Sequence, residues 1–188
     1  MRIRVQVILE SDQEAVPPHV EEVASFERGP LSPETLGLRL DEAKQMLAGV
    51  QQVMTESQVE EYVEQQRQCS HCQQPLARKG HYQIRVRTLF GKLTLSSPRL
   101  YTCSCHPCQK RSWSPVAALF SERSTPELLC QEVRWPSLLS YGVTMKLLGD
   151  LLPMEHQLST STISRYVHQI AERFEGELGV GSKANVAK

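Results

Sequence analysis

The chain has 188 residues, enough for one ordinary domain or two to three small ones, and its 21 basic residues balance 21 acidic ones. No run of about 18 apolar residues occurs and no secretory apolar core is visible near the start, which argues against a membrane span and an exported protein. The zero net charge hides a segregation: residues 1–66 carry a net −8, residues 67–124 a net +9, and residues 125–188 a net −1. An α+β chain of successive units is expected: an acidic unit over 1–66, a basic one over 67–124, a third over 125–179 and a tail over 180–188.

The acidic unit opens with "RIRVQVILES", whose alternation is that of a half-buried strand, and "HVEEVASFERG" (19–29) is its predicted hairpin partner. One long helix, or two, is predicted over 41–66. Leu40, Ala43, Leu47, Val50 and Met54 recur at helical spacing, with a weaker continuation through Val59, Tyr62, Val63 and Gln66. That stripe is expected to pack on the chain's own hairpin; the alternative is an oligomerisation helix. No carboxylates here are arranged for catalysis.

The basic unit opens with Cys69 and Cys72 in "CSHC" and closes with Cys103, Cys105 and Cys108 in "YTCSCHPC". Without a secretory signal, such pairs read as metal ligands rather than disulfides. A tetrahedral ion takes four ligands, and five cysteines plus His71 and His106 are available. Between the cysteines the pattern is strand, turn, strand. Ile84, Val86 and Thr88 alternate with Arg85 and Arg87, and Gly91 supplies the reversal. "SSP" is expected to interrupt the second strand, with a third short strand over 99–103. This is the layout of a zinc ribbon, in which a structural zinc supplies folding free energy that so small a sheet lacks. Neither H-x-E nor H-E-x-x-H occurs within this unit, so a catalytic zinc is not expected.

Arg78, Lys79, Arg85, Arg87, Lys92, Arg99, Lys110 and Arg111 crowd this unit, against one acid, Glu122. Lys79, Arg85, Arg87 and Lys92 are candidate phosphate contacts to double-stranded DNA. Tyr82, Phe90, Tyr101 and Trp113 are expected to form a small core.

In the third unit Thr125 and Pro126 signal a helix start, Pro136 a bend or stop, and a second helix is expected over 143–152. Cys130 reads as a core thiol. "PMEHQLS" reads as a turn, and Ser159 or Thr160 caps a last helix whose apolar face is Ile163, Val167, Ile170, Ala171 and Phe174. Helix, turn, then a helix opening with hydroxyl residues and an arginine is the helix-turn-helix pattern. Thr160, Ser161, Thr162, Ser164 and Arg165 would then face the major groove.

Five stretches in this order carry a resemblance: "FERGPLSPETLGLRLDEAKQMLAGVQQ", "CSHC", "RTLFGKLTLSSPRLYTCSC", "SPVAALFSERSTPELLCQEVRWPSLLSYGVTMKLLGDLLP" and "STISRYVHQIAERFEGELG". Together they resemble the N-terminal part of ISKra-type insertion-sequence transposases. The resemblance implies a zinc-binding and helix-turn-helix region that recognises mobile-element ends, with Cys69, Cys72, Cys103 and Cys105 as the cysteine pattern and Cys108 outside it. It also implies an RNase H-like catalytic domain, for which the nine residues after Gly179 leave no room, so the chain is not expected to be an enzyme. The further partners on this reading are a second copy of the chain and a separate catalytic transposase subunit, in the cytoplasm at the bacterial nucleoid. The alternative function is a zinc-stabilised protein-interaction or regulatory module.

Overall fold

Alternation of apolar and polar residues sets the first element. In the computed structural model, which describes residues 1–10, 17–105, 112–120, 122–153 and 159–185 (side chains as far as 176), β1 (Arg2–Leu9) pairs antiparallel with β2 (His19–Glu27). Two strands alone are marginal in water. This pair lies against α1 (Leu40–Gln65), a helix of 26 residues.

The face of α1 that meets the hairpin is not the predicted stripe. Glu42 and Val53 are buried there, Met46 lines a cavity with Ile3, Val5 and Phe26, and Gly49 sits against Val23. Leu40, Leu47 and Met54 are exposed instead. Two features of the sequence choose this face. Gly49 lets the backbones approach so closely that a Cβ would lie 2.7 Å from the Val23 carbonyl oxygen. Glu42 accepts two hydrogen bonds from the Arg28 guanidinium, at 2.7 and 2.6 Å, and one from the Arg39 backbone N–H at 3.0 Å. The Arg28 contact holds the Glu42 carboxyl below the usual range. One carboxylate thus caps α1 and ties its start to the end of β2.

The second sheet has the order β3 (Arg78–Thr88), β4 (Gly91–Tyr101), β5 (Ser112–Trp113), all antiparallel. The turn is Leu89–Phe90, with Thr88 paired to Gly91 at a φ of 120°. "SSP" does not interrupt β4. Pro98 stands opposite His81, and β5 reaches only Leu100 and Tyr101, so β4 has one strand neighbour there and tolerates a residue without an N–H. The third strand therefore lies at 112–113 rather than 99–103. The inner face is aliphatic: Ile84, Val86, Leu93 and Leu95 pack with Val63 of α1 and with Val116 of α2 (Pro115–Leu119). Tyr82 and Tyr101 are exposed, and Phe90 and Trp113 half-buried, so the expected aromatic core is replaced by branched aliphatics. This core runs across the boundary predicted at residue 66.

Three helices complete the protein: α3 (Pro126–Arg134), α4 (Tyr141–Leu151) and α5 (Thr160–Asn185). A 3-10 turn, Trp135–Ser137, follows α3 where Pro136 denies the next backbone donor. Ser140 caps α4 and Ser159 caps α5, each hydroxyl accepting from the N–H three residues on. Leu148 and Ile163 form the buried contact between α4 and α5, flanked by Trp135, Tyr141, Met145, Leu152 and Val167. The predicted turn before α5 falls mostly on 154–158, outside the described residues. Cys130 is exposed on α3, because Leu128, Leu129 and Glu132 form its buried side.

A pair of glycine substitutions tests the α1–hairpin packing. Gly49→Ala gains helix propensity, yet its methyl meets a backbone oxygen that cannot swing away, so a net loss of about 1–3 kcal/mol is expected in chemical denaturation. Gly149→Ala on α4 has nothing within 4 Å of the added carbon, and a gain of about 0.5–1 kcal/mol is expected.

Candidate metal centre and basic surface

Two turns of opposite origin bring four sulfurs together. Cys69 and Cys72 lie on a tight turn closed by the Gln73 N–H donating to the Cys69 carbonyl at 2.9 Å, with Gln73 itself at a φ of 58°. Cys103 and Cys105 lie just beyond the end of β4. The Sγ atoms are 3.5 Å apart for Cys69–Cys105, 3.4 Å for Cys72–Cys103 and 3.5 Å for Cys72–Cys105, and all four lie within 4.8 Å of one another. These separations are far longer than a disulfide bond of about 2.05 Å. They approach the edge of about 3.8 Å that a tetrahedron with metal–sulfur bonds of about 2.3 Å would have.

The four cysteines could therefore hold a metal ion, and zinc is compatible with the donor set. A filled shell of four thiolates leaves no position for a water, so such an ion fastens chain segments rather than activating a nucleophile. The four thiols share protons unevenly, with Cys69 and Cys103 lowered and Cys72 and Cys105 raised by their mutual hydrogen bonds and desolvation. The backbone N–H groups of Cys72 and His71 pull the Cys69 thiol down to about 6. Cys103 is also lowered, by the Cys105 backbone, whereas Cys105 is pushed up by its hydrogen bond with Cys103 and by desolvation. Four thiolates this close repel, and a metal removes that repulsion. Cys108 and His106 lie outside the described residues.

The predicted basic residues divide into two sets. Arg85 is exposed on the outer face of the β3–β4 hairpin opposite Thr94, and Lys92 is half-buried opposite Arg87. Lys79 is exposed and its ammonium lies 5.6 Å from the Tyr101 ring centre. Arg87 shares the Arg85 face by register, but its guanidinium turns to the helices. It is bonded to Glu132, whose side chain is 0% exposed, and donates to the Tyr166 hydroxyl at 3.2 Å. Its backbone also exchanges hydrogen bonds with Arg123 and Thr125 at 2.9 and 2.8 Å. Arg87 is thus a clamp between sheet and helices, and its charge is committed to a carboxylate. Burial pushes the Glu132 carboxyl up while Arg87 pulls it down, and Glu132 Oε2 has no hydrogen-bond partner among the described residues. Neither Glu132 nor Tyr166 was singled out from the sequence; a glutamate among leucines in "ELLCQEVR" was the available signal.

At the start of α5, Thr160, Ser161 and Arg165 are exposed, and Thr162 and Ser164 are half-buried. The hydroxyls of Ser161 and Thr162 both lie 2.8 Å from the Ser159 hydroxyl, so they serve the cap. His168, one turn past Arg165 on the same exposed face, was missed although its spacing from Ser161 and Arg165 marks it. Two contacts bring α5 and the hairpin together. The Arg165 and Arg87 guanidinium carbons lie 5.3 and 5.8 Å from the centre of one ring, Tyr166. At the hairpin tip, a Cβ on Gly91 would lie 3.3 Å from the carbonyl oxygen of Pro153, between α4 and α5.

Comparison with known protein families and with curated proteins finds no match to this chain.

Two outcomes are expected at these sites. Single replacement of Cys69, Cys72, Cys103 or Cys105 by Ser should abolish stoichiometric metal in elemental analysis, whereas Cys108→Ser and Cys130→Ser retain it; stoichiometric metal in Cys103→Ser contradicts this ligand set. Arg87→Met should cost about 3–5 kcal/mol, because it strands a buried carboxylate, and adding Glu132→Leu should recover most of the loss in the same melts.

Proposed function

We propose that this chain binds double-stranded DNA, with the opening of α5 reading bases and the outer face of the β3–β4 hairpin holding phosphates. Helices α4 and α5 serve as a helix-turn-helix, and the four cysteines bind one structural zinc that sets the hairpin. The observation that carries the reading is the joint at Tyr166: Arg165 on α5 and Arg87 on β3 flank one ring, so the exposed face of α5 and the strand bearing Arg85 adjoin. Arg85, Lys92 and Lys79 supply sequence-independent phosphate attraction. Arg165, with Thr160 and His168 beside it, supplies the groups for groove readout, where an arginine can take a guanine edge.

Together with the resemblance in the sequence, this supports a DNA-binding region of an ISKra-type transposase that recognises mobile-element ends and leaves strand transfer to a separate catalytic part. A non-enzymatic protein-interaction module is the second reading. Its support is the exposed apolar stripe on α1.

Competition binding with element-end and scrambled duplexes across a salt series tests the assignment. Arg85→Ala and Lys92→Ala should weaken binding about equally on both duplexes and reduce the salt slope by about one unit each. Arg165→Ala should reduce preference for the specific duplex, by about 1–3 kcal/mol if it makes a bidentate base contact. An unchanged preference in Arg165→Ala with a collapsed one in Arg85→Ala inverts the roles, and salt-insensitive binding or none rejects the reading. With Mg²⁺ or Mn²⁺, no cleavage of either duplex is expected.

A further inference from the structure

The first half of α1 has two apolar sides, and the chain's own fold covers one. The side through Met46, Gly49 and Val53 lies on the hairpin. The other carries Leu40, Ala43, Leu47, Val50 and Met54, separated by three, four, three and four residues. That alternation is the a/d seam of a coiled coil, narrower than the stripe a helix presents to a globular core. Leu40 is 55%, Leu47 39% and Met54 48% exposed, and Ala43 and Val50 between them are half-buried. A separate apolar surface lies on the hairpin side of α1. Leu31, Leu36 and Leu38 are exposed on the loop before α1 and, with Met1 and Ile3, surround the cavity that Met46 lines.

We propose that this seam is covered by the same seam of a second copy of the chain. Three observations select that occupant. The five seam positions hold no charge, so two copies related by a two-fold axis bury only apolar groups against each other. The cations at its margin are already satisfied within the chain: Arg39 by Asp41 and Glu42 at 3.2 and 3.5 Å, and Lys44 by the carbonyls of Gly149 and Asp150 at 3.2 and 2.7 Å. The seam also ends in charge, because the next a and d positions of the same heptad frame, after Ser57, are Glu61 and Glu64. Like carboxylates facing each other there confine the contact to the first half of α1.

The exposed seam positions Leu40, Leu47 and Met54 span two heptads, short for a coiled coil, so the dimer is expected to be concentration-dependent. Gly49 explains how one helix serves both purposes: by seating α1 deep on β2, it turns the heptad seam outward.

Light scattering on the full metal-loaded chain during size-exclusion chromatography, over a concentration series, tests the proposal. The wild-type chain is expected at twice the chain mass in the micromolar range. Leu47→Glu and Met54→Glu should each return the mass to one chain, with metal content and circular dichroism unchanged. Met54→Glu serves if Leu47→Glu fails to fold. A wild-type monomer throughout the series overturns the proposal. So does a dimer that survives both substitutions, or one lost on Phe174→Glu, which would place the contact on the apolar groove between α3 and α5. DNA affinity is a separate readout, so loss of the dimer and loss of binding remain distinguishable.

Discussion

The Arg87–Glu132 pair is the joint on which the arrangement of this protein turns. Arg87 sits on a sheet whose other face is packed by α1 and α2, and Glu132 sits on the fully covered side of α3. A carboxylate in that position is costly unless a cation reaches it, and Arg87 reaches it while also bonding Tyr166 of α5. Three elements distant in sequence meet at one guanidinium. Because the backbone of Arg87 also pairs with residues 123 and 125, the sheet and the helices cannot rotate about this point without breaking a buried ion pair. The relative placement of Arg85 and Arg165, and so the proposed shape of the DNA-binding face, follows from that restriction.

The cysteine cluster has a complementary role at the other end of the sheet. Residues 67–77 contribute two short turns and few apolar side chains, so little hydrophobic burial holds them. Four sulfurs at near-tetrahedral spacing give that end its fastening, provided a metal is bound. Arg87 secures the hairpin near its tip and the cysteines secure it near its base. Between them lies an outer face of Gln83, Arg85, Thr94 and Ser96, polar and exposed among the described residues, as the proposed phosphate contacts need.

The acidic N-terminal unit is held differently. Its negative charge would oppose a polyanion, and its main contacts are apolar or internal ion pairs such as Arg28–Glu42. Lys44 reaches the C-terminal helices, donating to carbonyls at the end of α4. That contact sets α1 beside the helices while its heptad seam stays outside.

Local pattern alone determined the hairpin, the long helix, the β3–β4 ribbon and the cap of α5, because period-two and period-3.6 spacing and capping hydroxyls act over a few residues. It also placed two groups of cysteines at the same end of a hairpin but left five of them as candidate ligands; the tertiary structure brings Cys69, Cys72, Cys103 and Cys105 together. Which side of α1 is buried was decided only by tertiary contact. Two apolar faces competed, and a glycine fitted against Val23 outweighed a more regular leucine stripe. The fate of Arg87 was decided the same way. Its strand face could be counted from the sequence, but a side chain of that length goes where the nearest buried carboxylate lies, and Glu132 is 45 residues away in the chain. Periodicity says which residues share a face; only packing in three dimensions says what that face meets.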